Sequence, residues 1–386
     1  MNQMVNFVFL SVYFYSVPNL RFREFHTEWK KIQIGNLIKE RKEYTSDFKK
    51  YPLYSFTIES GITPKSDRYE RSFLVKKEGD LFKLVHQNDF VMNPMNLRFG
   101  AINYSKINQI VSVSGYYDIF TIDACKYNEF WNAYLKTPRM LYTYNTIATG
   151  SLVEKKRVYF KQLKELKMCI PSEMEKNKIN EFINLLNERI QTQSKIIDDY
   201  NSLKMGIYNC MFKENYADYK LKQLAYIVKG DQINNDQLLS NGSYYMMNGG
   251  ASPSGYLDSY NVSENTISIS EGGNSCGYVQ FNSSPFWSGG HCYTIQNVNS
   301  ALIENKYLYH YLKYKEKEIM NLRIGTGLPN IQKKDLENFT ILVPSLLIQR
   351  KNLALFEMLD EKISILNEEL ANLQKQKKYL LCNMFI

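Results

Sequence analysis

PSEMEKNKINEFINLLNERIQTQSKIIDDYNSLKMGIYNCMF (Pro171–Phe212) and PSLLIQRKNLALFEMLDEKISILNEELANLQKQKKYLLCNMF (Pro344–Phe385) are two copies of one stretch. A shift of 173 residues carries Pro171 onto Pro344 and runs without a gap to Phe385. It superposes Ser172 on Ser345, Lys178 on Lys351, Leu186 on Leu359, Glu188 on Glu361, Ile190 on Ile363 and Lys204 on Lys377, and ends with Met211-Phe212 on Met384-Phe385. The likeness reaches back to Gly150 and Gly327. Self-similarity of this kind decides the architecture before any local reading does.

Both copies have the spacing of one apolar helix face. Phe182, Leu186, Ile190, Ile197, Tyr200, Leu203, Ile207 and Met211 recur at steps of three and four with a lapse at Gln193. Leu355, Leu359, Ile363, Leu366, Leu370, Leu373, Leu380 and Met384 do the same with a lapse at Gln376. Each helix starts after a proline, with Ser172 and Ser345 as N-cap candidates. About forty residues at about 1.5 Å each give roughly 60 Å. An apolar stripe of that length needs a partner, and the other copy is the natural one, as an antiparallel coiled coil.

The repeat extends beyond the helices. Phe130 to Lys136 matches Tyr307 to Lys313, and Thr149-Gly150 matches Thr326-Gly327, at a common shift of 177. Trp29 to Ile34 is matched to Tyr219 to Leu224, at a shift of 190. Between these anchors the halves diverge. Residues 51–122 read as short strands and turns, including Tyr54 to Ile58 and Ile110 to Ile122. The second half carries Asn248-Gly249-Gly250, Gly272-Gly273 and Gly289-Gly290, which read as hairpin turns.

The fold class expected is α+β: two similar domains separated by two long repeat helices packed as an antiparallel coiled coil, with pseudo-twofold symmetry. The expected boundaries are 1–16 for an apolar tail, 17–150 and 213–328 for the domains, and 151–212 and 329–386 for the repeat segments. The tail, MNQMVNFVFLSVYFYS, has no basic residue before its apolar run and is too short for a membrane span. The expected location is cytoplasmic.

The formal charge is +9 over 386 residues, compatible with a polyanion partner. In the first half Lys65, Arg68, Arg71, Lys76, Lys77, Lys83, Arg98 and Lys106 fall close together. Six scattered cysteines have neither CxxC nor zinc spacing. His291-Cys292 with Cys276 lacks a metal-site spacing. Asn93-Pro94-Met95-Asn96 lacks the second proline and the aromatic of an amino-methyltransferase motif, and no phosphate loop is present. No catalytic residue and no metal is read. A binding role remains, in which Lys65, Arg68, Arg71 and Arg98 in the first domain and Asn248, Asn274 and Gln280 in the second are the candidates for touching DNA. Helix packing is assigned to Phe182, Leu186, Ile190, Ile197, Leu355, Leu359, Ile363, Leu366 and Leu370. The alternative is a coiled-coil interaction protein with paired ligand-binding domains and no DNA role.

Several strings together resemble the specificity subunit of type I restriction–modification systems. They are VPNLRFREF followed by Glu28-Trp29, the passage Gly325 to Leu336 (GTGLPNIQKKDL), Val343-Pro344, and the helix bearing Leu359-Asp360-Glu361-Lys362-Ile363. The resemblance covers the chain from about Val17, twice over. It departs at the helix starts, where Glu175-Lys176 keeps the Glu and Ile348-Gln349 the Gln of a Glu-Gln pair, and at Thr149-Gly150-Ser151-Leu152, which lacks the proline found at Pro329. The resemblance implies two target-recognition domains reading a split, asymmetric double-stranded DNA site, about one helical turn or roughly 34–36 Å apart. It implies docking of two methyltransferase subunits and of restriction/translocase subunits. S-adenosylmethionine, ATP and Mg²⁺ would be used by those subunits, and none would be bound by this chain.

Overall fold

The computed structural model describes residues 17–58, 61–64, 81–151, 156–212, 216–325, 327 and 329–385. The chain forms two compact units, Met1–Thr192 with Leu370–Ile386, and Gln193–Glu369. Both boundaries fall inside the long helices, Glu173–Met211 and Leu346–Met384, each of 39 residues. Each unit therefore owns a part of each helix.

In the first unit a four-stranded antiparallel sheet runs in the order Ile38–Glu40, Asp118–Ile122, Phe90–Met92, Ile102–Tyr104. Alternation along these strands sends Phe90, Met92, Phe120 and Ile122 to one face and Val91 and Ile119 to the other. The first face packs on Phe130, Trp131 and Tyr134 of the helix Asn128–Tyr134. The second face meets Val85, Val111 and Val113 of a smaller sheet. A second helix, Pro138–Ile147, follows; Thr137 accepts from the Met140 amide at its start and proline occupies the first turn.

The second unit repeats this plan. Its four-stranded sheet has the order Tyr226–Lys229, Cys292–Gln296, Thr266–Ser270, Val279–Asn282, again all antiparallel. The helix Asn305–Tyr314 supplies Tyr307, Leu308, Tyr311 and Leu312 to the core. In each unit a strand near its start pairs with the strand just before a long helix: Lys30–Gln33 with Lys167–Ile170, and Ala217–Lys220 with Thr340–Val343. Lys30 faces Ile170 and Ala217 faces Val343, so Lys30 corresponds to Ala217. The Ile34 amide donates to Leu166 O as the Leu221 amide does to Phe339 O. The true shift at the domain starts is thus 187, three residues short of the alignment drawn from the sequence. Identical lysines at that other register had outweighed the buried positions Ile34 and Leu221.

Within the first unit the opening of the first long helix lies beside the close of the second. Ile179, Phe182 and Ile183 share a core with Leu380, Leu381, Met384 and Phe385. Within the second unit Ile207, Tyr208, Met211 and Phe212 share a core with Leu353 and Phe356. The two helices therefore run antiparallel. Among the assigned packing residues Ile197, Leu359 and Leu366 are buried, and Phe182, Leu186, Ile190, Leu355, Ile363 and Leu370 are half-buried. The most deeply buried apolar positions include Ile179, Ile183, Tyr208 and Phe356, while Leu203 of the sequence stripe is exposed. The burial follows the domains that the helix ends press against, which a periodicity alone does not contain.

The contacts obey the repeat. Phe385 meets Phe130 and Tyr134 at ring distances of 5.4 and 5.1 Å; its counterpart Phe212 meets Tyr307 and Tyr311 at 5.5 and 5.1 Å. Lys204 pairs with Asp360, and its counterpart Lys377 donates to Asn187, the counterpart of Asp360. The lapse at Gln193 is a polar tie: its Nε2 donates to Leu366 O and Glu369 Oε2, both at 3.0 Å. At the helix starts Ser172 Oγ accepts from the Glu175 amide at 3.4 Å, and Arg21 grips Glu175 with two hydrogen bonds of 2.7 and 2.6 Å.

His310 lies beneath the second helix with its Nδ1 2.8 Å from the Tyr208 hydroxyl. Burial pushes its pKa down to about 3, and the nearby Lys204 adds to the fall. Asp360 stands 3.8 Å away, but burial dominates and the imidazole is neutral at neutral pH. A proton binds the unfolded chain and not the folded one between about pH 6.5 and 3, so stability falls as pH falls through that window. From pH 7 to 5 the loss from this residue is roughly 2 kcal/mol. Urea unfolding at the two pH values checks it: His310→Phe loses that much less than the parent over the same interval. Phe385→Ala empties a site in the first unit's aromatic core and is expected to cost about 3–5 kcal/mol, read as a lowered urea midpoint.

Candidate nucleic-acid interface

Three of the sequence candidates, Lys65, Arg68 and Arg71, lie outside the described residues, as do Lys76 and Lys77. Lys83 and Lys106 are engaged: Lys83 donates to Tyr117 O at 2.6 Å and lies 3.7 Å from Asp118, and Lys106 pairs with Glu129. Arg98 sits in the turn Leu97–Phe99, which Gly100 ends at φ 88°, a left-handed conformation that favours glycine. Its side chain is only 8% exposed, with Nη1 3.4 Å from Asn145 Oδ1 and the guanidinium 5.1 Å from the Phe99 ring. Arg98 thus braces the turn on the helix Pro138–Ile147 and leaves Phe99 outward. Tyr142 on that helix and Tyr159 are also exposed, and Arg157 stacks over the exposed Tyr116 at 5.4 Å. Outward aromatic rings beside guanidinium groups offer stacking and phosphate contact together.

In the second unit the loops ending the main sheet converge. Asn248 Oδ1 accepts from the His291 amide at 3.0 Å, Ser270 Oγ donates to Gly249 O at 2.7 Å, and the Glu271 amide donates to His291 O at 2.9 Å. Glu271 Oε1 accepts from Lys229 Nζ at 2.6 Å and from the Tyr293 hydroxyl at 3.0 Å. Burial, then the bond to Glu271, pushes the Tyr293 pKa up, so the phenol keeps its proton and donates. Lys229 and His291 remain 51% and 60% exposed at the rim. The backbone of Asn274 lies in the turn Gly273–Ser275 that leaves Glu271, whereas Gln280 stands in the edge strand opposite Ser268. Asn248 and the Asn274 turn thus belong to this loop cluster, and Gln280 belongs to the sheet.

Glycines permit that convergence. Gly249-Gly250 lies in the hairpin between Tyr244–Met247 and Gly255–Leu257, and Gly272-Gly273 in the hairpin between Thr266–Ser270 and Val279–Asn282. Gly289-Gly290 is different from the expected hairpin turn. The strand before it, Trp287–Ser288, pairs in parallel with Tyr244–Met247. A Cβ on Gly289 would lie 2.5 Å from Met246 Cε, and one on Gly230 would lie 2.3 Å from Ser288 O. Gly230 is required because two backbones touch there, and Gly289 leaves room for the Met246 and Asn248 side chains.

Sequence reading missed Lys229, Glu271 and Tyr293. Its available signal was a glutamate before one Gly-Gly and a histidine after another, spaced to close on each other only once the strands are paired. Cys276 and Cys292 are both buried; burial raises the first thiol's pKa and pushes the second up to about 11. Among the described residues no three His, Cys, Asp or Glu side chains are grouped to hold a metal. Asn93 to Asn96 is a turn in which Asn93 Oδ1 accepts from the Met95 amide. Among the described residues no helix is long and apolar enough to cross a membrane.

The fold and its paired loop clusters define a two-domain protein built on a doubled helical frame. Residues 213–375 match the family model described as the type I restriction modification DNA specificity domain. A Mycoplasma pneumoniae protein named as a type I specificity subunit is 34% identical over 155 residues, 40% of this chain and 41% of that protein. The chain thus aligns with about two-fifths of that relative's length. In fold, the chain is similar to the crystal structure of a type I restriction–modification S subunit from M. genitalium, with a TM-score of 0.61 at 18% identity, covering 96% of this chain and 99% of that one. A structure from work on assembly and conformational transition of the type I system gives a TM-score of 0.54 at 15% identity, over 92% and 96%. The family match thus rests on residues 213–375, and over the whole chain the likeness to these S-subunit structures is one of fold.

Glu271→Ala leaves Tyr293 and Lys229 without their shared acceptor. The expected cost is about 1–3 kcal/mol, seen as a lowered thermal midpoint, with Glu271→Gln losing less because its amide oxygen still accepts.

Proposed function

We propose that the chain is the DNA-reading, non-catalytic subunit of a type I restriction–modification complex. Each unit reads one part of a split, asymmetric double-stranded DNA target, and the chain directs two methyltransferase subunits and the restriction/translocase subunits to it. The observation that carries this reading is the doubled frame with unlike loops. The two main sheets share strand order and sense, while the rim groups differ: Phe99, Tyr142 and Arg157 in one unit, Asn248, His291 and Lys229 in the other. One frame that repeats while its loops do not is suited to reading two different base sequences. The family match of residues 213–375 to a DNA specificity domain supports the same reading. Methylation would draw S-adenosylmethionine on the methyltransferase subunits, and translocation and cleavage would draw ATP and Mg²⁺ on the others.

The test is methylation sequencing of a host that expresses this chain with a methyltransferase subunit of its system, against a host lacking this chain. A split, asymmetric methylated motif that appears only with the chain is the expected outcome. Co-purification of the two proteins with no new motif would favour a coiled-coil interaction protein and overturn the DNA reading. Replacing residues 17–150 by those of a relative is expected to change one half of the motif and leave the other. A change in both halves would sink the assignment of one half-site to each unit.

A further inference from the structure

The first unit contains an open cavity of about 710 Å³, bounded by the helices Asn128–Tyr134 and Pro138–Ile147 and by stretches of both long helices. Ala133, Leu141, Ile183, Ile190 and Leu381 form apolar wall. Lys136, Lys377 and Lys378 line it with a single carboxylate, Glu129. That carboxylate is already engaged, accepting from the Tyr104 hydroxyl at 2.7 Å and pairing with Lys106. Among the described residues no carboxylate lies in salt-bridge range of Lys136, Lys377 or Lys378, and Lys377 donates to the neutral Asn187. Burial pushes the Lys136 pKa down to about 8 and lowers that of Lys377; Glu129 pulls both the other way without reversing the fall, and Lys106 adds to it.

The second unit supplies an internal control. By the repeat, Lys136 corresponds to Lys313 and Lys377 to Lys204. There each lysine has its own acid: Lys313 pairs with Glu316 at 2.5 Å and Lys204 with Asp360, and Lys306 pairs with Glu357 at 2.5 Å. The first unit carries Arg139, Asn184 and Asn187 where the second carries Glu316, Glu357 and Asp360. The same frame thus keeps two of the three lysines and lacks the three acids; in the place of Lys306 stands Glu129, the cavity's one carboxylate. Desolvated ammonium groups call for an anion, and the apolar wall calls for a hydrocarbon body. The volume lies within the roughly 300–1,000 Å³ of small-molecule sites.

We infer that this cavity binds a small organic anion, a carboxylate or phosphate ester with an apolar body, whose charge is held by Lys136 and Lys377. The inference stands apart from the DNA reading, since neither the cavity nor its lysines enter it.

Isothermal titration of the full chain with octanoate, octan-1-ol and octylammonium tests it. Octanoate is expected to bind once per chain, octan-1-ol at least tenfold more weakly, and octylammonium without measurable heat. Lys136→Gln with Lys377→Gln should weaken octanoate at least tenfold, while Lys204→Gln with Lys313→Gln in the second unit should leave it unchanged. Lys377→Gln alone, on the surface-facing helix, keeps the test valid if the double variant does not fold; it should weaken octanoate several-fold. Ala133→Trp fills the cavity and should abolish binding with both lysines in place. Equal affinity for octanoate and octan-1-ol, or affinity indifferent to the lysines, would overturn the inference. So would displacement of octanoate by one equivalent of a DNA duplex, which would assign the lysines to a nucleic-acid surface.

Discussion

The seating of each long helix's last aromatic ring is the contact on which the rest depends. Phe385 closes the core around Trp29, Phe130 and Tyr134, and Phe212 closes the core around Tyr307, Tyr311 and Phe356. Most of the stability of an amphipathic helix comes from packing its apolar face, and each of these 39-residue helices has one such stripe to cover. Here each is anchored at its end by a ring buried in a domain and along its length by the other helix. The domains gain as much from this as the helices do, because Ile179, Ile183, Met384 and Phe385 belong to the same apolar cluster as the main sheet.

One position solves the same problem in two ways. Lys176 and Gln349 occupy equivalent places in the first turn of each helix, and both are almost fully buried. Gln349 donates to Leu302 O and Pro344 O and accepts from the Glu304 amide, all at 2.8 Å. Lys176 reaches the carboxylates of Asp123 and Glu173 at 2.6 and 2.5 Å. Burial pulls the Lys176 pKa down, and the two acids more than offset it. An amide can satisfy carbonyls and an amide proton together, whereas an ammonium needs acceptors only, so the first unit supplies acids where the second supplies backbone. The departure from a Glu-Gln pair noted in the sequence is therefore a change of partner, with the joint preserved.

Much of this architecture was legible in the sequence, because repetition and helical period are both properties of order along the chain. The long helices, their antiparallel pairing and the short helix at Phe130 to Tyr134 follow from those properties. The register of the domain starts did not, since Trp29 and Tyr216 correspond through strand pairing and not through like residues. Nor did the polar tie at Gln193, which reads as a lapse until its acceptors on the other helix are known. The rim groups were least legible. Lys229, Glu271 and Tyr293 are far apart in sequence, and Arg98 looked like a free cation when it is a brace between a turn and a helix.

The ownership of Leu370–Ile386 by the first unit has a consequence for how the protein is made. A ribosome finishes the sheet of that unit early, with Trp29, Phe130 and Tyr134 already in the emerging chain. The ring that covers them comes only after the whole of the second unit, residues 193–369, has been synthesised. At about 5–20 residues per second that is a wait of roughly 10–35 s. For that interval the aromatic socket of the nascent first unit lacks the ring that closes it.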